Sequence, residues 1–195
     1  PYDVDTAVDL LAKMKSVVSE YVRIQRIERD IPAPQISAGI FRSNIRQLVK
    51  DHMGSLGISC RCIRCREVGH TGEILEHPER IVRKVLEYEA SGGVERFVSL
   101  EYNDSIIGYV RLRTDGTDTA TVREVKVFGR IAPLGSEGED WQHRGFGKEL
   151  MQEAERLAAA DGKKRIRVTG GIGTREYYRA LGYSLEMPYM VKDLS

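Results

Sequence analysis

Gln142-His143-Arg144-Gly145-Phe146-Gly147-Lys148 is the stretch on which the reading of this chain turns. It comes after a strand-like pattern and a Gly/Ser/acid-rich loop at 133–140, and it opens a strongly helical pattern. Gly145 and Gly147 remove Cβ atoms where a ligand must approach the backbone. The first-turn N–H groups of the following helix have no intrahelical acceptor and carry the positive end of its dipole. Arg144 and Lys148 add full charges. Together these residues build a pyrophosphate cradle. A tight turn would use the same glycines, so the surroundings must carry the distinction.

Outward from that stretch the chain reads as a mixed α/β sheet. Residues 97–102 and 106–113 alternate as strands joined by the turn Asn103-Asp104-Ser105, and residues 119–128 form a third strand with Val122, Val125 and Val127 apolar. Residues 78–89 read as a helix and Gly92-Gly93 as a break. Downstream, residues 145–160 are a helix (Leu150, Met151, Ala154, Leu157, Ala158) ended by Asp161-Gly162. A buried-type strand at 166–169, a short helix at 174–181 and a closing strand at 183–191 complete the pattern. The first third differs. Residues 6–20 and 44–56 carry helical apolar spacing, the first capped by Asp5 or Thr6, while residues 21–28 alternate like a strand that Pro32 and Pro34 end. Residues 60–66 read as a short crossing segment, so this third resembles the end of one structural unit plus a linker.

At 195 residues the chain exceeds one average domain of ~150. With 41% apolar and 30% charged residues a core is expected and disorder is not. No apolar run approaches the ~18 residues of a spanning helix and no leader precedes a cleavage site, so no membrane association is expected. The chain begins with Pro1, and a missing N-terminal part is expected. The net charge of +1 conceals segregation. Residues 1–20 hold two lysines against four acids, and residues 21–66 hold nine basic residues against three acids. Those nine (Arg23, Arg26, Arg29, Arg42, Arg46, Lys50, Arg61, Arg64, Arg66) are a candidate surface for RNA phosphates, or simply a solvated face.

All three cysteines lie between positions 60 and 65, which does not suit a disulfide-stapled secreted protein and points to a reducing, cytoplasmic setting. Cys60-x-Cys62-x-x-Cys65 can converge on one tetrahedral Zn²⁺ with a histidine or water as fourth ligand. His70 is nearest, and His52, His77 and His143 remain candidates. Flanking Arg61, Arg64 and Arg66 favour thiolates. Buried thiols without metal are the alternative. The spacing is not that of a radical-SAM cluster, so no iron–sulfur centre is assigned.

Gln142-x-x-Gly145-x-Gly147 after the 119–128 strand resembles the acetyl-CoA signature of the GNAT acetyltransferase superfamily. That resemblance implies a strand splayed from its neighbour, whose backbone at Glu124, Val125, Lys126 and Val127 bonds the pantetheine arm. It also implies a later helix with a tyrosine at the thioester sulfur, able to protonate a departing thiolate. Tyr177 and Tyr178 lie on that helix, with Tyr178 the preferred one. Glu124 is then a general base or water-orienting group, or an ordinary strand-end acid.

Further blocks narrow the resemblance. Residues 21–32, Arg42-Ser43-Asn44-Ile45-Arg46-Gln47-Leu48, Arg66-Glu67-Val68-Gly69, Trp141 through Gly147 and Arg175-Glu176-Tyr177-Tyr178-Arg179 resemble, in order, the Elongator catalytic-subunit family. The three-cysteine form suggests an archaeal or bacterial type. The family joins a radical-SAM domain to an acetyltransferase-like domain and modifies the wobble uridine of tRNA at C5, with acetyl-CoA as carbon donor. The resemblance implies that residues 1–58 are the C-terminal remnant of the radical-SAM domain. It makes 59–66 a zinc-binding linker and 67–195 the acetyl-CoA domain, a GNAT fold with a mixed, mostly antiparallel splayed sheet and flanking helices. S-adenosylmethionine and a 4Fe-4S cluster belong to the full-length protein and have no counterpart here.

By the same implication Gln142, Arg144, Gly145, Phe146, Gly147, Lys148 and residues 124–127 hold acetyl-CoA, with Tyr178, Tyr177 and Glu124 catalytic and Cys60, Cys62 and Cys65 on Zn²⁺. Lys126 departs from the His of eukaryotic members, which puts a side-chain role there in doubt. The implied partners are tRNA, acetyl-CoA and accessory subunits or a second copy. A protein lysine N-acetyltransferase, and a tRNA-binding module that keeps acetyl-CoA only structurally, are the alternative functions.

Overall fold

The computed structural model describes residues 1–28, 31, 33–129 and 145–194. They fall into two compact units, residues 1–66 and 67–195.

The first unit is built on a helical pair. Asp3 accepts a hydrogen bond from the Thr6 N–H at 2.7 Å and starts α1, Val4–Ser16. Its buried residues Ala7, Val8 and Ala12 meet Ile45, Val49 and Met53 of α2, Ile45–Ser55. Leu11, Ile27, Ile40, Leu48 and Cys60 pack around this cluster. The helix expected over 6–20 therefore begins and ends earlier, and Val17 beyond it is exposed. Residues 21–28, expected as a strand, form no ladder. The Val22 carbonyl accepts from the Ile63 N–H at 2.9 Å, and the carbonyls of Ile24 and Gln25 accept from the Arg46 guanidinium. Alternation gave the segment an extended backbone, but a helix residue and a turn satisfy it instead of a neighbouring strand. Within the 60–66 segment, Ile63–Arg66 makes one helical turn, α3.

The second unit opens with a short helix α4, Val68–Thr71, and then forms a seven-stranded sheet. Its strands are β1 Val82–Ala90, β2 Gly93–Tyr102, β3 Ser105–Thr114, β4 Thr119–Val127, β5 Arg165–Val168, β6 Ser184–Glu186 and β7 Tyr189–Asp193. Their spatial order is β1-β2-β3-β4-β5-β7-β6, antiparallel throughout except for the β4/β5 pair. Helix α5, Phe146–Ala160, lies between β4 and β5 in the chain, and α6, Arg175–Ala180, between β5 and β6. This is the expected mixed sheet with flanking helices.

Two element assignments change. The helix expected over 78–89 is β1, which pairs with β2 along its whole length from Val82↔Glu101 to Ala90↔Gly93. Val82, Val85 and Leu86 mimic a helical spacing. Period-2 burial of Leu86, Tyr88 and Ala90 and an uninterrupted hydrogen-bond ladder decide otherwise. The single closing strand is two strands, β6 and β7, turning at Met187-Pro188.

Candidate active site and metal centre

The site begins where the sheet opens. The parallel β4/β5 pairing runs from Thr119↔Arg165 to Val122↔Val168 and stops, because β5 is only four residues long. On its other side β4 stays paired to β3 as far as Gly108↔Val127, with a bulge at Arg123 between the pairs Leu112↔Val122 and Arg111↔Glu124. A bulge bends its strand and turns the residues beyond it in a new direction. Residues 124–127 thus present a backbone edge that no described strand pairs, which is the splay expected of the sheet.

The amino end of α5 adjoins that edge. Gly145 stands at the N-cap in the left-handed region at φ +82° and has no side chain with which to bond the first-turn N–H groups. Phe146 is buried as an anchor, and Lys148 is exposed. A Cβ on Gly147 would lie 2.8 Å from the Tyr177 hydroxyl and 3.8 Å from Val127 Cγ2. The Tyr177 phenol thus lies in the space a side chain at Gly147 would take. Trp141, Gln142, His143, Arg144 and the 133–140 loop lie outside the described residues.

The two tyrosines have different surroundings. Tyr177 is 40% exposed, with its hydroxyl at the amino end of α5, whereas Tyr178 is 5% exposed. Tyr178 packs edge-on against Tyr177 at 5.2 Å and Tyr183 at 5.9 Å, beside Gly170. Burial pushes both phenols above the ordinary tyrosine range, so both keep their protons at neutral pH and can donate them. The sequence named both tyrosines and preferred Tyr178; of the two, Tyr177 has its hydroxyl against Gly147 at the start of α5.

Glu124 is held rather than free. Arg111 Nε donates to its Oε2 at 3.3 Å, and Arg111 Nη1 donates to the Tyr88 hydroxyl at 3.0 Å. Tyr88 in turn donates to Glu95 Oε2 at 2.9 Å, and Arg123 also pairs with Glu95. The Arg111 guanidinium lies over the rings of Phe97 and Tyr109 at 5.3 and 5.6 Å. Sequence reading missed Arg111. It faces Glu124 only because the bulge shifts the β3/β4 register by one residue.

In the first unit the three thiol sulfurs of Cys60, Cys62 and Cys65 lie within 4.8 Å of one another. Cys62 is fully buried and its thiol is held well below the ordinary range by hydrogen bonds from its two partners, which push Cys65 up. Three converging sulfurs, with Cys62 buried, Cys60 half-buried and Cys65 exposed, fit a thiophilic cation such as Zn²⁺. The set contains no histidine. His52 faces Asp9 at 3.8 Å in the first unit, while His70 and His77 face Glu67 and Glu79 in the second. His143 lies outside the described residues.

The basic middle stretch is partly consumed by the fold. Glu20 takes both Arg61 at 2.9 Å and Arg66 at 3.0 Å, with Arg66 only 4% exposed. That clamp fixes the two ends of the cysteine segment. Arg46 caps the carbonyls of Ile24 and Gln25. Arg42 and Lys50 remain exposed, and no described residue pairs with either.

Comparison with known proteins gives two family matches. The Radical_SAM C-terminal domain matches residues 1–55, and the acetyltransferase (GNAT) family matches residues 70–183. The chain is 45% identical over 210 residues to the tRNA uridine(34) acetyltransferase of Methanocaldococcus infernus, covering 100% of this chain and 39% of that protein. It is 42% identical over 209 residues to Elongator complex protein 3 of Schizosaccharomyces pombe, covering 99% and 38%. A solved structure of the archaeal Methanocaldococcus infernus Elp3 with an N-terminal deletion superposes with a TM-score of 0.90 at 45% identity, covering 100% of this chain and 49% of that one. The chain thus spans about two fifths of the length of the curated relatives it matches.

Proposed function

The chain belongs to the acetyltransferase (GNAT) family, and on that premise we propose that it is the acetyl-CoA-binding part of an enzyme that modifies the wobble uridine of tRNA at C5. The observation that carries the reading is the β4 edge at 124–127, unpaired by any described strand, adjoining the glycine-started amino end of α5. An extended pantetheine arm pairs with such an edge, and a pyrophosphate sits on such a helix end. Gly145, Phe146, Gly147 and Lys148 take the pyrophosphate, joined by Gln142 and Arg144, and residues 124–127 take the arm by backbone.

Thioester cleavage then needs a proton donor at sulfur and an acceptor at the attacking water. As water adds to the acetyl carbonyl and the C–S bond breaks, a protonated Tyr177 or Tyr178 gives its proton to the departing thiolate. Glu124, oriented by Arg111, takes the proton of the water. In the full-length enzyme the acetyl carbon would instead go to correctly placed tRNA before water releases CoA, chemistry that the radical-SAM portion with S-adenosylmethionine and a 4Fe-4S cluster would supply. Cys60, Cys62 and Cys65 would hold Zn²⁺ and so tie together the two ends of the linker segment. The setting is cytoplasmic, a reading supported by three cysteines clustered within six residues rather than spread as for disulfides. Among the described residues no helix is long and apolar enough to cross a membrane.

The test is release of free CoA from acetyl-CoA by the full-length protein, alone, with intact tRNA and with a lysine peptide. We expect release that depends on tRNA and falls about 10²-fold or more in Tyr177→Phe or Tyr178→Phe, as loss of a general acid predicts. Release driven by the lysine peptide without tRNA identifies a protein acetyltransferase instead. Tight tRNA binding with no release under any condition identifies a binding module.

A further inference from the structure

Lys15 is a buried cation that the proposed function leaves unused. It lies in the last turn of α1 with 4% of its surface exposed. The one described partner of its ammonium is Cys65 Sγ, 3.5 Å away. Lys13, one turn-face away on the same helix, behaves ordinarily: it is exposed and pairs with Asp9 at 2.7 Å. No described carboxylate pairs with Lys15. Glu20, the acid bonded to the cysteine segment, pairs with Arg61 and Arg66.

A buried ammonium needs a counter-charge, and a neutral thiol supplies only a weak acceptor. The contact makes physical sense when the sulfur carries negative charge. Three thiolates around one divalent cation leave a net charge of about −1, which one adjacent ammonium offsets. An N–H···S bond also withdraws charge from a ligand sulfur without occupying the metal's remaining position.

We propose that Lys15 is the outer-sphere partner of a Cys60/Cys62/Cys65 metal centre, donating to Cys65 Sγ and balancing the charge of the metal–thiolate group. This rests on the reading of the three thiols as a metal site. Lys15 makes no bond to the metal and acts through Cys65, so it is a positioning residue.

The experiment measures zinc stoichiometry of the full chain and zinc affinity by competition with a chromophoric chelator, for the parent, Lys15→Met and Lys15→Arg. Loss of an outer-sphere partner should weaken zinc about 10- to 100-fold in Lys15→Met. Lys15→Arg, which keeps the charge and the N–H donors, should retain most of the affinity. In Co²⁺-loaded protein the sulfur-to-metal charge-transfer band should shift in Lys15→Met alone. Unchanged affinity and spectrum in Lys15→Met, with zinc bound by the parent, overturn the role of Lys15 and leave the thiol site standing. A parent that binds no zinc overturns both. Should Lys15→Met fail to fold, the parent still decides the question. The ¹⁵N signal of the Lys15 ammonium must move on metal loading, and a signal that does not move sinks the proposal.

Discussion

Gly147 shows how much a single missing methyl can report. Its Cβ would collide with the Tyr177 hydroxyl at 2.8 Å, so the residue at the cradle and the residue on α6 constrain each other across thirty positions of sequence. Gly147→Ala should therefore push the phenol out or tilt the first turn of α5, weakening CoA about tenfold, roughly 1.4 kcal/mol. Tyr177→Phe removes the colliding oxygen, so the double variant should regain a measurable part of that loss by isothermal titration. Purely additive losses would mean that the contact does not shape the cradle. The glycines were legible in the sequence because helix starts that bind anions need them. The tyrosine's approach was not, since nothing in Arg175-Glu176-Tyr177-Tyr178 says which ring turns inward. Burial sorted them: Tyr178 took the core place beside Tyr183, and Tyr177 was left at the cradle. Arg111 was hidden for a related reason. A one-residue bulge moved it opposite Glu124, and its one trace in the sequence is the broken alternation between Val122 and Val125, which does not say which β3 residue then faces Glu124.

At the level of elements, the hairpin between β2 and β3 was readable from its turn, because Asn103 and Asp104 both take positive φ, where these side chains are tolerated. The identity of β1 was not. Its outer face is exposed, so its composition did not have to alternate cleanly, and only the ladder to β2 makes it a strand. The seat of α5 on the sheet depends on another small residue. A Cβ on Gly108 would come 2.8 Å from the Lys126 carbonyl and 3.2 Å from Leu150 Cδ1. Gly108→Ala thus presses at once on β4, which presents the open edge, and on α5. We expect it to destabilise by about 1–3 kcal/mol and also to weaken CoA binding. Leu150→Ala, a fully buried truncation, should cost about 2–5 kcal/mol yet leave CoA affinity nearly unchanged, since it opens space without moving β4. Thermal melts with and without CoA separate the two. Equal effects on CoA would show that the edge is insensitive to the Gly108 contact.

At the scale of the whole chain, the net +1 concealed a basic stretch at 21–66 that sequence alone treated as one undivided surface. The fold divides it. Arg61 and Arg66 close on Glu20, and Arg46 caps backbone carbonyls, so these charges hold structure together. Arg42 and Lys50 are exposed with no described partner. If this chain contributes to tRNA binding through phosphate contacts, only charges of the second kind can release counterions. Each lost contact lowers the slope of log K against log salt by about one. In the full-length protein, Arg42→Gln with Lys50→Gln should reduce that slope by up to about two while leaving the melting temperature nearly unchanged. Arg66→Gln should do the reverse. It leaves Glu20 with one guanidinium fewer at a buried position, so melting falls while the salt slope stays. A slope that falls equally in both variants would mean that the ion pairs of the fold open on RNA, and that the division between structural and phosphate-facing arginines is wrong.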